Sequence, residues 1–584
     1  MKTLLLFPPH WRPTQPYLSL PTLASFLRSK GKEVAIMDIN ALFFEHVLSK
    51  SHLKDCLTSL KQRINRLTAT PELHSAGVSL CKRLFLIEAL ATATIDQIEE
   101  AMAIMKSSKA LNLASFRRSG EIIAAGLDLA AASVEDIVLT FDLFRCRYQP
   151  DNPEEVKKAV VDESENFFIP FFKQFSLPAI EMEAPGLVGI SINSLSQVIP
   201  GLTLARLIKE SMPAVHITIG GNQFSYISEN IRELWLFSWI DSIVLFEGEE
   251  TLNNLIDRLE NRQPVAGLSN LMVQSGDKII CGKRGGHIDL IAQPAPAFKA
   301  LLPSSYLSPQ VVYPLQYSRG CYWNKCSFCD YTYSSQGYRI KDPQDFAREV
   351  AQVTGAQTPG FFHLVDSAPA VGHLLELAEE LIKNKTQVFW ATMCRFEPLL
   401  EKPENVALLY RAGCRIIEFG LESGSDKMLK SMNKGATTSM ARKILDNCQA
   451  AGIFTVVFVV VGLPEETKSD AEKTIKFLGE MAESIDSVSL SKFVLKQHSP
   501  LGQHLEASVL PAVKNEQNWW NSESQLSYTP SMSQDELQTV FGQLRSIEQQ
   551  KPLAKQLART LWDVSYLLQW LVANNTVQEG TDNG

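Results

Sequence analysis

The chain has 584 residues, 45% hydrophobic and 21% charged, which is enough for several packed cores and ordinary enough to fold without help from disulfides. Its 64 acidic and 56 basic side chains leave a formal net charge of −8, and no Lys/Arg run is interleaved with aromatics, which argues against a nucleic-acid partner. The opening MKTLLLFPPHW is cut by Pro8 and Pro9 before a signal core can form, and the apolar run Phe454 to Leu463 is about half of the ~20 residues a membrane helix needs. A soluble, cytoplasmic protein of three or four domains with no membrane partner is expected.

In chain order, Thr3 to Phe7, Leu18 to Lys30 and Glu33 to Asp38 read strand, helix, strand, the opening of a βαβ unit. From residue 41 to about 184 the pattern turns to amphipathic helices, for example Thr94 to Met105 and Glu154 to Phe168, so a helical insertion is expected there. Strand logic resumes at Leu187 to Ile192, Val215 to Ile219 and Ile240 to Phe246, with helices over Pro200 to Glu210 and Glu249 to Leu259. The pattern predicts a Rossmann-like doubly wound parallel sheet over residues 1–262, interrupted by the insertion. Residues 263–310, rich in Pro and turn residues, read as a hairpin and linker.

A second alternating series follows, with strands at Val311 to Tyr317, Phe361 to Val365, Val388 to Met393, Arg415 to Phe419, Thr455 to Val461 and Val488 to Val494, all separated by helical stretches. That is the rhythm of a partial β/α barrel of six units over 311–506. Residues 507–584 read as mostly helical, most clearly Glu536 to Trp570, with a polar tail after Asn574. The fold class is therefore α/β throughout, with a C-terminal helical region.

Ten cysteines in so long a chain are no disulfide framework, and three of them crowd into the loop after the first barrel strand, Ser318-Arg-Gly-Cys-Tyr-Trp-Asn-Lys-Cys-Ser-Phe-Cys-Asp330. Three thiolates, Cys321, Cys326 and Cys329, can hold three irons of a [4Fe-4S] cubane and leave the fourth iron open to a substrate. The competing readings are a structural zinc or incidental thiols. Zinc usually takes four ligands, and no His or fourth Cys lies close in sequence. Chemistry in parallel barrels collects at the carboxyl ends of the strands. Here those ends carry Asp366-Ser367, Arg395-Phe-Glu397, Gly420-Leu-Glu-Ser423, Gly462-Leu-Pro-Glu465 and Lys496-Gln-His498-Ser499.

Over residues 1 to about 505 the chain resembles radical S-adenosylmethionine (radical SAM) proteins with an N-terminal cobalamin-binding-type domain, on the motif Arg319-Gly-Cys-Tyr-Trp…Cys-Ser-Phe-Cys, Phe-Gly-Leu-Glu-Ser-Gly-Ser at 419–425 and Val-Gly-Leu-Pro-Glu-Glu-Thr at 461–467. The first cysteine gap has four residues where the superfamily usually has three, which leaves the three-ligand logic intact. The resemblance implies reductive cleavage of S-adenosylmethionine to a 5′-deoxyadenosyl radical, with electrons from a donor such as flavodoxin or ferredoxin and a small-molecule or peptide substrate. By the same resemblance Phe328 would lie beside the adenine, Glu422 and Ser423 would contact ribose or methionine, and Gly462 would let backbone approach the adenine. Asp366 is a candidate cofactor or substrate contact. Glu422 also fits a helix N-terminal carboxylate, and Lys434 reads as a solvated helix-end lysine.

In the amino-terminal part, Asn193, Ser194, Gly220, Gly221, Glu247 and Gly248 all follow strands and mark where a corrin would lie. The Asp-x-His-x-x-Gly signature is absent, since Asp38-Ile-Asn-Ala does not supply it, so cobalamin would lack that histidine ligand. A scaffold that has lost its cofactor is the alternative. His10 either faces the same crevice or is a surface-turn residue. Three functions stay open: a cobalamin-dependent C-methyltransferase, a radical enzyme of rearrangement, cyclisation or oxidation, and a non-catalytic iron-sulfur redox or sensing protein.

Overall fold

The computed structural model describes residues 1–69, 75–335, 337–355, 358–506, 528, 530–549 and 564–579. It contains two units. One is formed by Met1–Ile288 and Pro296–Val311, and the other is built on the strands from Val312 onward.

In the first unit β1 (Thr3–Phe7) is buried at all five positions, a continuous apolar run of the kind that sheets covered on both faces require. It lies between β2 (Val34–Asp38) and β3 (Leu187–Ser191), and β4 (His216–Gly220) and β5 (Ser242–Val244) follow, every neighbour parallel. The chain goes from β1 to one neighbour and, after the insertion, to the other, so a topological switch point opens between β1 and β3. A hairpin, β6 (Leu271–Ser275) and β7 (Lys278–Cys281), adds to the edge antiparallel. The helix α1 (Ser19–Ser29) buries Leu20, Ala24 and Leu27 against this sheet.

The insertion is dominated by three helices, α2 (Lys50–Thr68), α3 (Ser75–Met105) and α4 (Leu113–Ala132). Buried Arg63 of α2 donates to the carbonyls of Ala132 (2.9 Å) and Val134 (2.7 Å), closing the end of α4 where carbonyls have no helical partner. Two differences from the sequence reading occur. A two-stranded ladder, Val138–Leu139 with Phe144–Arg145, interrupts the helices. The helix read as Glu154 to Phe168 ends at Val161, because Asp162 leaves helical geometry and its carboxylate accepts from the amides of Ser164 and Glu165.

Among the described residues the main sheet of the second unit has six strands in chain order, all parallel: β8 (Val312–Leu315), β9 (Gly360–Leu364), β10 (Val388–Cys394), β11 (Cys414–Glu422), β12 (Phe454–Val461) and β13 (Ser487–Lys492). Alternation along each strand separates two faces. One face packs on the connecting helices: Tyr317 stacks on Phe346 of α5 (Pro343–Thr354), and Phe362 stacks on Trp390, whose indole donates to the Ala412 carbonyl at 2.9 Å. On the other face Val312, Phe361, Ala391, Ile416, Phe454 and Val456 pack against Leu567 and Leu568 of the C-terminal helix α6 (Val564–Glu579). A helix from the chain's end thus covers the first rows of the inner face. The expected helix Glu536 to Trp570 falls partly on 550–563, outside the described residues, and Gln534–Gln549 is helical. Among the described residues no helix is long and apolar enough to cross a membrane.

Candidate functional site

The cysteine loop leaves the carboxyl end of β8, and its entry is pinned from β9. The Asp366 carboxylate, fully buried, accepts from the Tyr317 amide at 3.0 Å, from the Ser318 hydroxyl at 2.5 Å and from the Ser318 amide. Burial pushes this carboxyl up to about 6, with the Ser318 and Tyr317 donors acting in the opposite direction. A short ladder, Ser318–Arg319 with Arg339–Ile340, ties the two ends of the loop region together. Gly320 makes that crossing possible: its φ is +91°, and a Cβ there would stand 2.1 Å from the Gly337 carbonyl oxygen. On the far side the Ser327 amide donates to the Met432 carbonyl (2.9 Å) and the Trp323 indole to that of Asn433 (2.8 Å).

Cys321, Cys326 and Cys329 are all half-buried and free. Burial pushes the Cys326 and Cys329 thiols up, while the charges of Lys434 and Arg395 pull Cys326 back. Arg395, at the end of β10, is the side chain that gathers this corner. Its guanidinium donates to Cys326 Sγ (3.6 Å), to the Tyr322 hydroxyl (3.1 Å) and to the Lys434 carbonyl, and lies 4.6 Å from the Trp323 ring. The three thiols do not converge on one point: among the described residues no group of three or more His, Cys, Asp or Glu closes on a single metal ion. A cubane asks for less convergence, since each thiolate binds its own iron. Three thiols in one loop, beside a buried guanidinium, suit an anionic thiolate-bound cluster.

At the end of β11 the ladder to β12 slips between Gly420 and Glu422, and Glu422 takes a φ of +63°. Its carboxylate receives the Lys434 ammonium at 2.7 Å, both side chains about nine-tenths buried. Lys434 is therefore no solvated helix-end lysine: it lies within 5.8 Å of the Phe328 ring and is held by Glu422, so the expectation from sequence is corrected. Phe328 itself packs against Met428, Met432, Leu463 and Phe493. Ser423 is fully buried, with its hydroxyl 3.2 Å from that of Thr474, facing a neighbouring helix. Gly462 has a φ of +97°, donates its amide to Glu466 at 2.6 Å and accepts from the Tyr528 hydroxyl at 2.6 Å. Cys326, Phe328, Glu422, Lys434 and Arg395 thus share one corner, while Asp366, Ser423 and Gly462 are engaged by the protein itself. Arg395 was visible in the sequence only as one polar strand end among five.

In the first unit the marked residues do gather at the carboxyl edge of the sheet. The Asn193 amide group donates to Ser191 Oγ (3.0 Å) and its carbonyl oxygen accepts from the Asn222 amide (3.2 Å), which joins the ends of β3 and β4. Gly221, with φ +107°, brings backbone so close that a Cβ would lie 2.3 Å from the Ile192 carbonyl oxygen. A Cβ on Gly220 would lie 3.0 Å from the Val244 carbonyl oxygen, so these two glycines are demanded by the protein's own packing. Glu247 accepts from the Ile288 amide at 2.9 Å, and Gly248 precedes the helix Glu249–Glu260. Ser194 Oγ is buried with no hydrogen-bond partner among the described residues, the one member of the set that still asks for a ligand. His10 turns into the insertion, where its Nε2 donates to the Thr140 carbonyl at 2.5 Å and burial pushes the ring down to about 4. Asp38 caps the following helix at the Ala41 amide and accepts from the Tyr306 hydroxyl at 2.8 Å.

Residues 315–478 match the model of the radical SAM superfamily. Among curated proteins, an anaerobic magnesium-protoporphyrin IX monomethyl ester cyclase of Rubrivivax gelatinosus is 26% identical over 281 residues, 46% of this chain and 50% of that one. The hopanoid C-3 methylase of Methylococcus capsulatus is 22% identical over 308 residues, 52% of this chain and 58% of that one. The chain thus spans about half the length of these relatives. Among solved structures, the radical S-adenosylmethionine methyltransferase TsrM from Kitasatospora setae, with cobalamin and a [4Fe-4S] cluster bound, shares the fold at TM-score 0.53 and 14% identity, covering 94% of this chain and 88% of that one. The cobalamin-dependent radical enzyme OxsB gives 0.55 at 14% identity, covering 87% and 61%. The chain therefore carries a radical SAM domain, opened by the loop that holds Cys321, Cys326 and Cys329.

Proposed function

We propose that the protein is a cobalamin-dependent radical SAM enzyme that transfers a methyl group to an unactivated carbon of a small-molecule or peptide substrate. The observation that carries this is the three-thiol loop, anchored by Asp366 at the carboxyl end of the first of six parallel strands, with Arg395 and Lys434 buried beside it. Cys321, Cys326 and Cys329 would each hold one iron of a [4Fe-4S] cluster. When bound, that cluster supplies the electron that cleaves S-adenosylmethionine.

The chain's own residues prepare the corner for an anionic group. Arg395 places a fixed positive charge against Cys326, and Asp366 holds the loop entry in register. The Lys434 and Glu422 pair keeps a buried cation at a set position next to Phe328. In the first unit, the buried Ser194 hydroxyl, without a hydrogen-bond partner among the described residues, supports cobalamin at the carboxyl edge of the sheet. The likeness to a cyclase as well as to methylases supports a second reading, radical ring closure, rearrangement or oxidation without methyl transfer. We place the protein in the cytoplasm, with flavodoxin or ferredoxin as electron donor.

The deciding experiment is anaerobic reconstitution with iron and sulfide, followed by reduction in the presence of S-adenosylmethionine. Formation of 5′-deoxyadenosine supports the enzyme. An intact cluster that produces none would leave a redox or sensing protein instead. Visible absorption of extracted corrinoid decides the first unit, and its absence after growth with cobalamin would rule out cobalamin-dependent methyl transfer.

A further inference from the structure

Two polar side chains inside the six-stranded sheet serve neither the cysteine loop nor the packing. His363 stands two residues beyond Phe361 on β9, and Glu418 two residues beyond Ile416 on β11. Phe361 and Ile416 both pack against α6, so the strand pleat puts His363 and Glu418 on the same inner face, His363 level with Ala391 and Ile416 and Glu418 one step further on, level with Met393 and Val456. Their ladder neighbours are apolar: Pro314 and Ala391 beside His363, Met393 and Val456 beside Glu418.

Glu418 is 6% exposed and forms no hydrogen bond among the described residues. Both ring nitrogens of His363 are buried without a hydrogen-bond partner among the described residues. The closest approach of the two, His363 Nε2 to Glu418 Oε2, is 3.9 Å, too long for a hydrogen bond. The two buried cations near the strand ends are already held, Lys434 by Glu422 and Arg395 by Tyr322, Cys326 and the Lys434 carbonyl. A buried carboxyl without a counter-charge is costly, and a group left so calls for an explanation, of which a bound ligand is one.

We infer that His363 and Glu418 are the recognition point for the substrate, and that the substrate presents a protonated nitrogen on an apolar body. A neutral imidazole nitrogen and a carboxylate oxygen 3.9 Å apart are two acceptors that one donor can bridge. A nitrogen about 2.8 Å from each would subtend roughly 90° between them, an angle open to two N–H bonds of an ammonium group. The rest of the molecule would lie against Pro314 and Met393, since Ala391 and Val456 already pack with Leu567 and Leu568 of α6. The inference rests on the radical SAM reading only for why a substrate enters this end of the sheet.

The test uses the reconstituted full-length holoenzyme and three probes of one size, benzylamine, benzyl alcohol and benzoate, titrated by calorimetry at pH 8. Benzylamine should bind at least tenfold more tightly than the other two, and Glu418→Gln should lose at least tenfold in benzylamine affinity. Glu418→Asp, which keeps the carboxylate, should retain part of it. The proposal is overturned if benzylamine does not bind, if the alcohol or the acid binds equally well, or if Glu418→Gln binds the amine like the natural protein. Production of 5′-deoxyadenosine is assayed in the same preparation, so failure of the radical chemistry is read separately from failure of amine recognition.

Discussion

Asp366→Ala isolates what holds the cysteine loop in place. The natural carboxylate is the acceptor for the amides of Tyr317 and Ser318, both inside the protein, and for the Ser318 hydroxyl. Alanine leaves two buried N–H groups unmet, and each such loss costs about 1–3 kcal/mol, so roughly 2–6 kcal/mol should disappear from the local stability of the loop entry. At about 1.4 kcal/mol per decade, the local opening constant should rise at least thirtyfold. Hydrogen exchange resolved by mass spectrometry measures this on the peptide carrying Tyr317 and Ser318, with the β12 peptide, Phe454–Val461, as an internal control. Exchange at the loop entry should accelerate by that factor while the control barely moves, and iron retained after reconstitution should fall. Protection within threefold of the natural protein at both amides would show that Asp366 does not anchor the loop.

Glu418 gives a signed pH effect. Burial pushes its carboxyl up to about 7 from 4.5, so the folded state binds the proton more tightly than the unfolded one, and stability is lost as pH rises from 4.5 through 7. That shift corresponds to about 3 kcal/mol. Glu418→Gln should therefore melt higher than the natural protein at pH 8 and close to it at pH 5, and equal melting temperatures at pH 8 would contradict the buried, partnerless carboxyl. Lys434→Met leaves Glu422 without its cation and should cost about 3–5 kcal/mol in urea unfolding, whereas Lys434→Met with Glu422→Leu should recover most of it. Additive losses in that double-mutant cycle would deny the pair any coupling. Leu568→Ala opens a cavity at a fully buried contact of α6 with the inner face and should cost about 2–5 kcal/mol, and an unchanged unfolding midpoint would mean that α6 does not seal that face.

Local features were legible in the chain before any fold was known. The cysteine spacing, the apolar runs of the strands and the polar residues that follow them are properties of short stretches, and proximity in sequence suffices to read them. Gly221 and Gly462 are legible as places where backbone comes close, but what they approach is not: a Cβ on Gly221 would meet the Ile192 carbonyl oxygen, and one on Gly462 the Leu537 side chain. Contacts between partners far apart in sequence are not legible in this way. Lys434 passed for a solvated residue because nothing near it shows that Glu422 turns back through the slip in β11 to meet it. That Asp366, a candidate cofactor or substrate contact, also anchors the loop entry is not legible locally, because the amides it binds lie nearly fifty residues upstream.

Arg395 and Cys326, and His363 and Glu418, face one another only through strand register and sheet curvature, which no window of sequence contains. The inner face of the second unit shows the limit most plainly. Its apolar row is written in the strands, but the helix that covers it comes from the chain's far end, chosen by which apolar surface remained to be buried. The sequence by itself determined the alternation of strand and helix, the loop that carries three thiols and the edges where chemistry gathers. Tertiary packing decided which charges meet, which stay without partners and where the inner face is closed, because those depend on distances between elements that the chain brings together only when it folds.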